Sequence, residues 1–147
     1  MQVDFYQLGH DPVGRALALI AGKVLESGQR LLVVADGDGR RQALSEALWS
    51  AGPTRFLANG ESGGEHDADQ PILLSATVHP ANAARNVALA DGVWRDAVVD
   101  GRFDRVFLLF DEETVAAARL CWRDLGTREG LARRFWKQVD GRWTQAG

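Results

Sequence analysis

Three residues at helical spacing are the first candidates for a binding site in this sequence. Arg119, Trp122 and Arg123 stand at positions i, i+3 and i+4, so on a helix they share one face. Guanidinium groups bind carboxylates through paired hydrogen bonds, and an indole ring can form the wall of an apolar pocket. The pattern therefore predicts a docking face for an acidic peptide with an apolar end. Cation–π stacking on an ordinary surface helix is the alternative that the pattern leaves open.

Two large aromatic residues, Trp49 and Phe56, are a second candidate. They lie just before residues 57–70, which carry four acidic side chains and no Lys or Arg. We predict that residues 51–70 form a long exposed loop, and loops of this length are usually functional or mobile. Packing in the core is the simpler interpretation of Trp49 and Phe56, and docking of another protein is the alternative.

The turn at residues 36–41 is the best candidate for a small-ligand loop. A glycine-rich turn between a strand and a helix can bind phosphate, and Asp36 and Asp38 could hold a hard cation. However, neither GxGxxG nor GxxxxGK[ST] is present. A tight turn with an aspartate cap is the simpler interpretation. A nucleotide- or phosphate-binding α/β enzyme that uses this loop is kept as an alternative function.

Other catalytic chemistry has little support in the sequence. His10, His66 and His79 lie in separate predicted loops, without the spacing of metal ligands. No GxSxG motif is present to anchor a hydrolase triad. The single cysteine, Cys121, lies within a predicted helix and is interpreted as a packing residue. We therefore expect no catalytic residue, no metal and no cofactor.

The composition is that of an ordinary globular protein. The chain has 147 residues, 46% of them hydrophobic and 25% charged, which predicts one domain over residues 1–147 and excludes a wholly disordered chain. One cysteine cannot form a disulfide within the chain, which fits the cytoplasm. The first eleven residues do not resemble a targeting segment. The longest apolar run, residues 16–21, is far shorter than the roughly 20 residues of a membrane span.

The distribution of charge is uneven. The net charge is −3, which argues against binding of the nucleic-acid backbone as the main activity. Residues 119–142 nevertheless hold seven basic side chains against three acidic ones, which points to an acidic partner. Direct binding of single-stranded DNA through this region, with Trp136 and Trp143, is the weakest alternative.

Strands and helices alternate along the chain. Apolar runs predict strands at residues 3–8, 30–35, 72–75, 87–90 and 105–110. Helical spacing predicts helices at residues 13–26, 40–50 and 111–125. Asp140-Gly141 predicts a closing hairpin over residues 131–145. Together they predict a three-layer α/β fold with a mainly parallel, Rossmann-like sheet, helices on both faces, and an antiparallel hairpin at one edge.

Several segments, in order, resemble one protein family nearly from end to end. They are VDFYQL, ESGQRLLVVADGDGRRQALSEALW, RFDRVFLLFD, ARLCWRDL and FWKQVDGRW. The sequence resembles the chi subunit of the bacterial DNA polymerase III holoenzyme. The resemblance implies a non-catalytic, cytoplasmic accessory protein that contacts DNA only through its partners and has no membrane or cofactor role.

The same resemblance implies two binding surfaces. Arg119, Trp122 and Arg123 fall on the family's helix that binds the acidic C-terminal tail of single-stranded DNA-binding protein. Trp49 and Phe56 fall on the surface that faces the psi subunit of the clamp loader, or a helicase in some relatives. The best-known members of the family have a tyrosine followed by a lysine where this chain has Trp122 and Arg123. Both pairs provide an aromatic ring and a positive charge.

Overall fold

The computed structural model describes residues 1–51, 57–100, 103–140 and 142–147. The strands of this part of the chain are β1 Gln2–Gln7, β2 Leu31–Val34, β3 Gly60–Glu61, β4 Ile72–Ser75, β5 Asn86–Leu89, β6 Arg105–Phe110, β7 Ala132–Val139 and β8 Arg142–Gln145. The helices are α1 Val13–Glu26, α2 Asp38–Trp49 and α3 Val115–Leu125, with short 3-10 helices at Asp67–Asp69 and Asp96–Val99.

The strands form one sheet in the order β3-β4-β2-β5-β6-β1-β7-β8. Every neighbouring pair is parallel except β7 and β8, which are antiparallel. The predicted mainly parallel sheet and its antiparallel hairpin at one edge are therefore confirmed.

Helices cover both faces of the sheet. On one face, α1 and α2 bury residues such as Leu17 and Leu44 in one apolar cluster with β2 and β4. On the other face, α3 contributes Ala118 and Leu125 to a second cluster, which also contains Phe5 of β1. The predicted three-layer arrangement is confirmed. Strands β2, β4 and β5 are buried at every residue, because parallel strands between two helical layers have no solvent-facing side.

The predicted loop at residues 51–70 is partly ordered into secondary structure. It contains the edge strand β3 and the first 3-10 helix, and Asn59 is buried. Two of its acidic residues have local partners: Glu61 binds Arg41, and the Asp67 carboxylate accepts the backbone N–H groups of residues 63 and 64. A two-residue strand is too short to produce a recognisable apolar pattern, which is why the sequence predicted only a loop.

Among the described residues, none of the helices combines the length and the apolar character that crossing a bilayer requires.

Candidate functional site

Helix α3 positions the residues singled out by their helical spacing. Its start is ordered by Asp111, whose carboxylate accepts backbone N–H bonds from Glu113 at 3.0 Å and Thr114 at 3.2 Å. Ala118 and Leu125 are buried against the sheet, so the helix has a fixed inner face. The predicted helix is confirmed, with its first regular residue at position 115.

Trp122 lies at the border of that inner face and is half-buried. Its ring packs edge-on against Phe5 of β1 at 5.2 Å and against Phe135 of β7 at 5.5 Å between centroids. Phe5 and Phe135 are opposite each other in the parallel pairing of β1 and β7. Contacts with two strands therefore hold the indole in one orientation, whereas a ring on the surface without such contacts could rotate.

Arg133 of β7 covers the same indole from another side. Its guanidinium carbon lies 4.0 Å from the centre of the Trp122 ring, and its Nη1 donates to the Trp122 carbonyl oxygen. A Cβ at Gly126 would lie 2.6 Å from Nη2 of Arg133, so any larger residue there would displace the guanidinium from this position. Arg133 was not among the residues that the helical spacing identified. The sequence showed only that residues 119–142 are rich in basic side chains.

Arg119 and Arg123 are exposed on the outer side of α3. Within the described part of the chain, neither side chain takes part in an ion pair or hydrogen bond. Arg128 offers a direct contrast, because it pairs with Asp96 and Asp124, each at 2.6 Å. Arg119 and Arg123 thus carry positive charge that the described chain leaves uncompensated, next to an immobilised indole. This arrangement suits a ligand with carboxylates and an apolar group.

The second aromatic pair is only partly described. Trp49 is the last residue of α2, and 46% of its surface is exposed. The simpler interpretation of Trp49 as a core residue is therefore wrong, because the end of α2 reaches the protein surface. Phe56 lies outside the described residues. Helix α2 covers the sheet face opposite α3, so Trp49 and Trp122 belong to different layers.

The turn at residues 36–41 is held by two ion pairs of Arg41, one within the turn and one to Glu61 of β3. The Arg41 side chain is almost fully buried and donates to the Ala35 carbonyl oxygen at 2.8 Å and to Glu61 at 2.5 Å. It also pairs with Asp38. The hydrogen bond to Glu61 is the main cause that raises the pKa of Arg41. Because Arg41 engages these carboxylates, the geometry supports a structural turn more than a phosphate or cation site.

Cys121, next to Trp122, is half-buried and offers a test of this packing. Burial raises the pKa of its thiol to about 12. Only the thiolate reacts with alkylating reagents, and a free cysteine has a pKa of about 8.5. We expect iodoacetamide to label native Cys121 much more slowly than the same protein in urea at the same mildly alkaline pH, as measured by mass spectrometry. Equal labelling rates would show that α3 does not pack as described.

Comparison with known proteins identifies one family. The sequence model of the family described as DNA polymerase III chi subunit, HolC, matches residues 1–138. No protein with curated information matches the chain.

Proposed function

The chain belongs to the DNA polymerase III chi subunit family, whose members are accessory subunits of the polymerase III holoenzyme, and from this premise we propose that it binds the acidic C-terminal tail of single-stranded DNA-binding protein. The proposal assigns the binding to Arg119, Trp122 and Arg123. In this proposal the protein is non-catalytic and works in the cytoplasm as a link between other replication proteins.

The observation that carries this proposal is the pair of uncompensated arginines beside Trp122. An acidic tail supplies the carboxylates that Arg119 and Arg123 lack within the described chain. The exposed helix surface also keeps both guanidinium groups accessible. Charge-assisted hydrogen bonds of this kind are roughly twice as strong as neutral ones.

Trp122 contributes the apolar half of the same site. The tail ends in proline and phenylalanine, and the phenylalanine ring would pack beside the indole. Because Phe5, Phe135 and Arg133 already fix the indole, binding would cost little ordering of the protein. Arg133 adds a third positive charge near the ring, where the terminal carboxylate of the tail would lie.

We propose a second surface at Trp49 and Phe56 for the psi subunit of the clamp loader or for a helicase. The exposure of Trp49 supports it, and so does the position of α2 on the sheet face opposite α3. Two surfaces on different layers would allow both partners to bind at once. The protein would then connect single-stranded DNA-binding protein to the clamp loader or to the helicase.

Crossed binding measurements test the separation of the two surfaces. We expect Phe56→Ala to abolish binding of the psi subunit or helicase, to lower Tm little, and to leave tail-peptide affinity unchanged. Arg123→Ala is expected to weaken tail-peptide binding about tenfold to a hundredfold, and to leave both the Tm and the binding of the psi subunit or helicase unchanged. Each variant serves as the control for the other, with both partners titrated against both proteins by calorimetry.

Two outcomes of the crossed measurements would contradict this arrangement. A Phe56→Ala variant that loses about 3–5 kcal/mol of stability would place Phe56 in the core and remove the second surface. A well-folded variant that loses both partners would mean a single shared surface, and the protein could not bridge them.

A further inference from the structure

A cavity of about 310 Å³ lies on the sheet face opposite α3, between α1 and strands β6, β1, β7 and β8. This volume is at the lower end of the roughly 300–1,000 Å³ that small-molecule sites occupy. Nothing in the tail site or at Trp49 uses this cavity. Its lining combines aromatic rings, positive charges and hydrogen-bond donors.

The floor of the cavity is built from aromatic rings on neighbouring strands. Tyr6 of β1 lies nearly parallel to Trp136 of β7, at 6.3 Å between centroids. Trp143 of β8 meets Tyr6 edge-on at 5.1 Å, and Phe107 of β6 lies 6.1 Å away on the other side. Rings from four adjacent strands thus form an apolar floor, in which only Tyr6 and Trp136 are near parallel and give a planar group a face on which to stack.

A buried carboxylate holds two guanidinium groups beside this floor. Asp4 is fully buried and accepts bonds from Nε and Nη2 of Arg105 at 2.9 and 2.6 Å, and from Nε of Arg134 at 3.1 Å. Both arginine side chains keep 40% exposure and line the cavity. Nη1 of Arg105 and both terminal nitrogens of Arg134 make no hydrogen bond among the described residues, although the two guanidinium groups lie 4.8 and 5.8 Å from the ring centres of Phe107 and Trp136. Asp4 therefore orients two cations whose remaining donors stay available.

Two further groups complete the set. Lys23 of α1 lines the cavity and is exposed, so the lining holds three cations, of which Arg105 and Arg134 are paired with Asp4. The indole Nε1–H of Trp136 is a buried donor without a partner among the described residues. Burial is the main cause that raises the pKa of the Tyr6 phenol, which keeps the hydroxyl protonated and able to donate.

We propose that this cavity binds a single nucleotide unit, a planar base with one phosphate group. The base stacks on the near-parallel rings of Tyr6 and Trp136, as bases do on aromatic platforms, and meets the Trp143 ring edge-on. The phosphate binds the free nitrogens of Arg105 and Arg134. Arg105, Arg134 and Lys23 together carry two more positive charges than the carboxylate of Asp4 balances. A phosphate monoester has a charge of about −1.5 to −2, which matches this surplus better than the single charge of a carboxylate ligand does. The volume fits one unit and not a run of nucleotides.

Calorimetric titration of the full chain with thymidine monophosphate tests the proposal. We expect saturable binding, with thymidine alone and inorganic phosphate each at least about tenfold weaker, because each offers only half of the contacts. A short thymidine oligonucleotide with a 5′-phosphate shows whether the ligand of the cavity is a free nucleotide or the end of a DNA strand. Tighter binding of the oligonucleotide than of thymidine monophosphate indicates the end of a strand. Among the indole N–H signals in NMR spectra, those of Trp136 and Trp143 are expected to shift and that of Trp122 to stay.

Three results would overturn the nucleotide assignment. The first is that neither thymidine monophosphate nor the oligonucleotide binds. The second is that inorganic phosphate binds as tightly as thymidine monophosphate. The third is that N-acetylphenylalanine binds more tightly than thymidine monophosphate, which would indicate a site for an aromatic residue and a carboxylate of a peptide.

Substitutions locate the site. Arg134→Gln is expected to weaken binding of thymidine monophosphate about tenfold to a hundredfold, since it removes a charged hydrogen-bond donor. Lys23→Gln, at an exposed helix position that tolerates substitution, should weaken it up to about fivefold. Lys137→Gln is the matched control, because Lys137 points to the other face of β7. Folded Arg134 and Lys23 variants with unchanged affinity would refute the proposal.

Discussion

Replacing Arg119 or Arg123 with alanine weakens binding of the acidic tail peptide by about 1.5–3 kcal/mol, the range for hydrogen bonds to charged groups. This corresponds to about one to two decades in Kd. The free energy of unfolding should hardly change, because both side chains are exposed, make no side-chain hydrogen bond within the described chain, and give way to a strong helix former. Titration of a fluorescent tail peptide measures the affinity, and thermal unfolding measures the stability.

Arg128→Ala is the matched control for this expectation. It removes one positive charge near the same end of α3, but Arg128 is already paired with Asp96 and Asp124. We expect its effect on peptide affinity to be much smaller. If Arg119→Ala and Arg123→Ala bound the peptide as tightly as the unchanged protein, the assignment of the tail to α3 would be wrong.

The largest effect on stability is expected at Asp4. Its carboxylate has no exposed surface and depends on Arg105 and Arg134 for compensation. Changing both arginines to glutamine leaves an uncompensated buried charge, which should cost about 3–5 kcal/mol of unfolding free energy. Adding Asp4→Asn to that double variant removes the charge, and we expect it to recover about 1–3 kcal/mol. Urea unfolding of the three proteins measures these differences.

The exposed ion pair of Arg85 and Asp104 is the control for Asp4. Its two charges are more than half exposed, so Arg85→Gln should lower the free energy of unfolding far less than the loss of the two arginines at Asp4. A triple variant that is less stable than the Arg105 and Arg134 double variant would contradict this account. In that case the shape of the carboxylate site, and not its charge, would determine the stability.

The regular elements were predictable because their signals are local. Helix α1 and the buried strand β2 were located within a residue or two of their bounds, since apolar periodicity reports directly on the face that each element buries. Helix α2 begins at Asp38, two residues earlier than predicted. The ion pair between Asp38 and Arg41, three residues apart, stabilises the first helical turn there. Strand β3 pairs with β4 over two residues only, which leaves no periodic signal.

The candidate sites were predictable only in part. The spacing of Arg119, Trp122 and Arg123 identified one face of α3, since three neighbours on a helix are a local feature. Arg133 joins them only because β7 pairs with β1 beneath the helix, and this pairing depends on the whole sheet order. Asp4 and Arg105 are likewise a hundred residues apart in sequence and meet through the pairing of β1 and β6. No short sequence pattern indicates contacts between residues that are so far apart in the chain.

Strand β7 has a consequence for how the two proposed sites can change over evolution. Arg133 and Phe135 face α3, whereas Arg134 and Trp136 face the cavity under α1. A strand alternates its faces residue by residue, so a single insertion or deletion before Arg133 would exchange the two sets and destroy both sites together. Point substitutions at odd or even positions alter one site alone. We therefore expect relatives to change the side chains of one face of this strand without changing those of the other, while the number of residues between α3 and Arg133 stays constant.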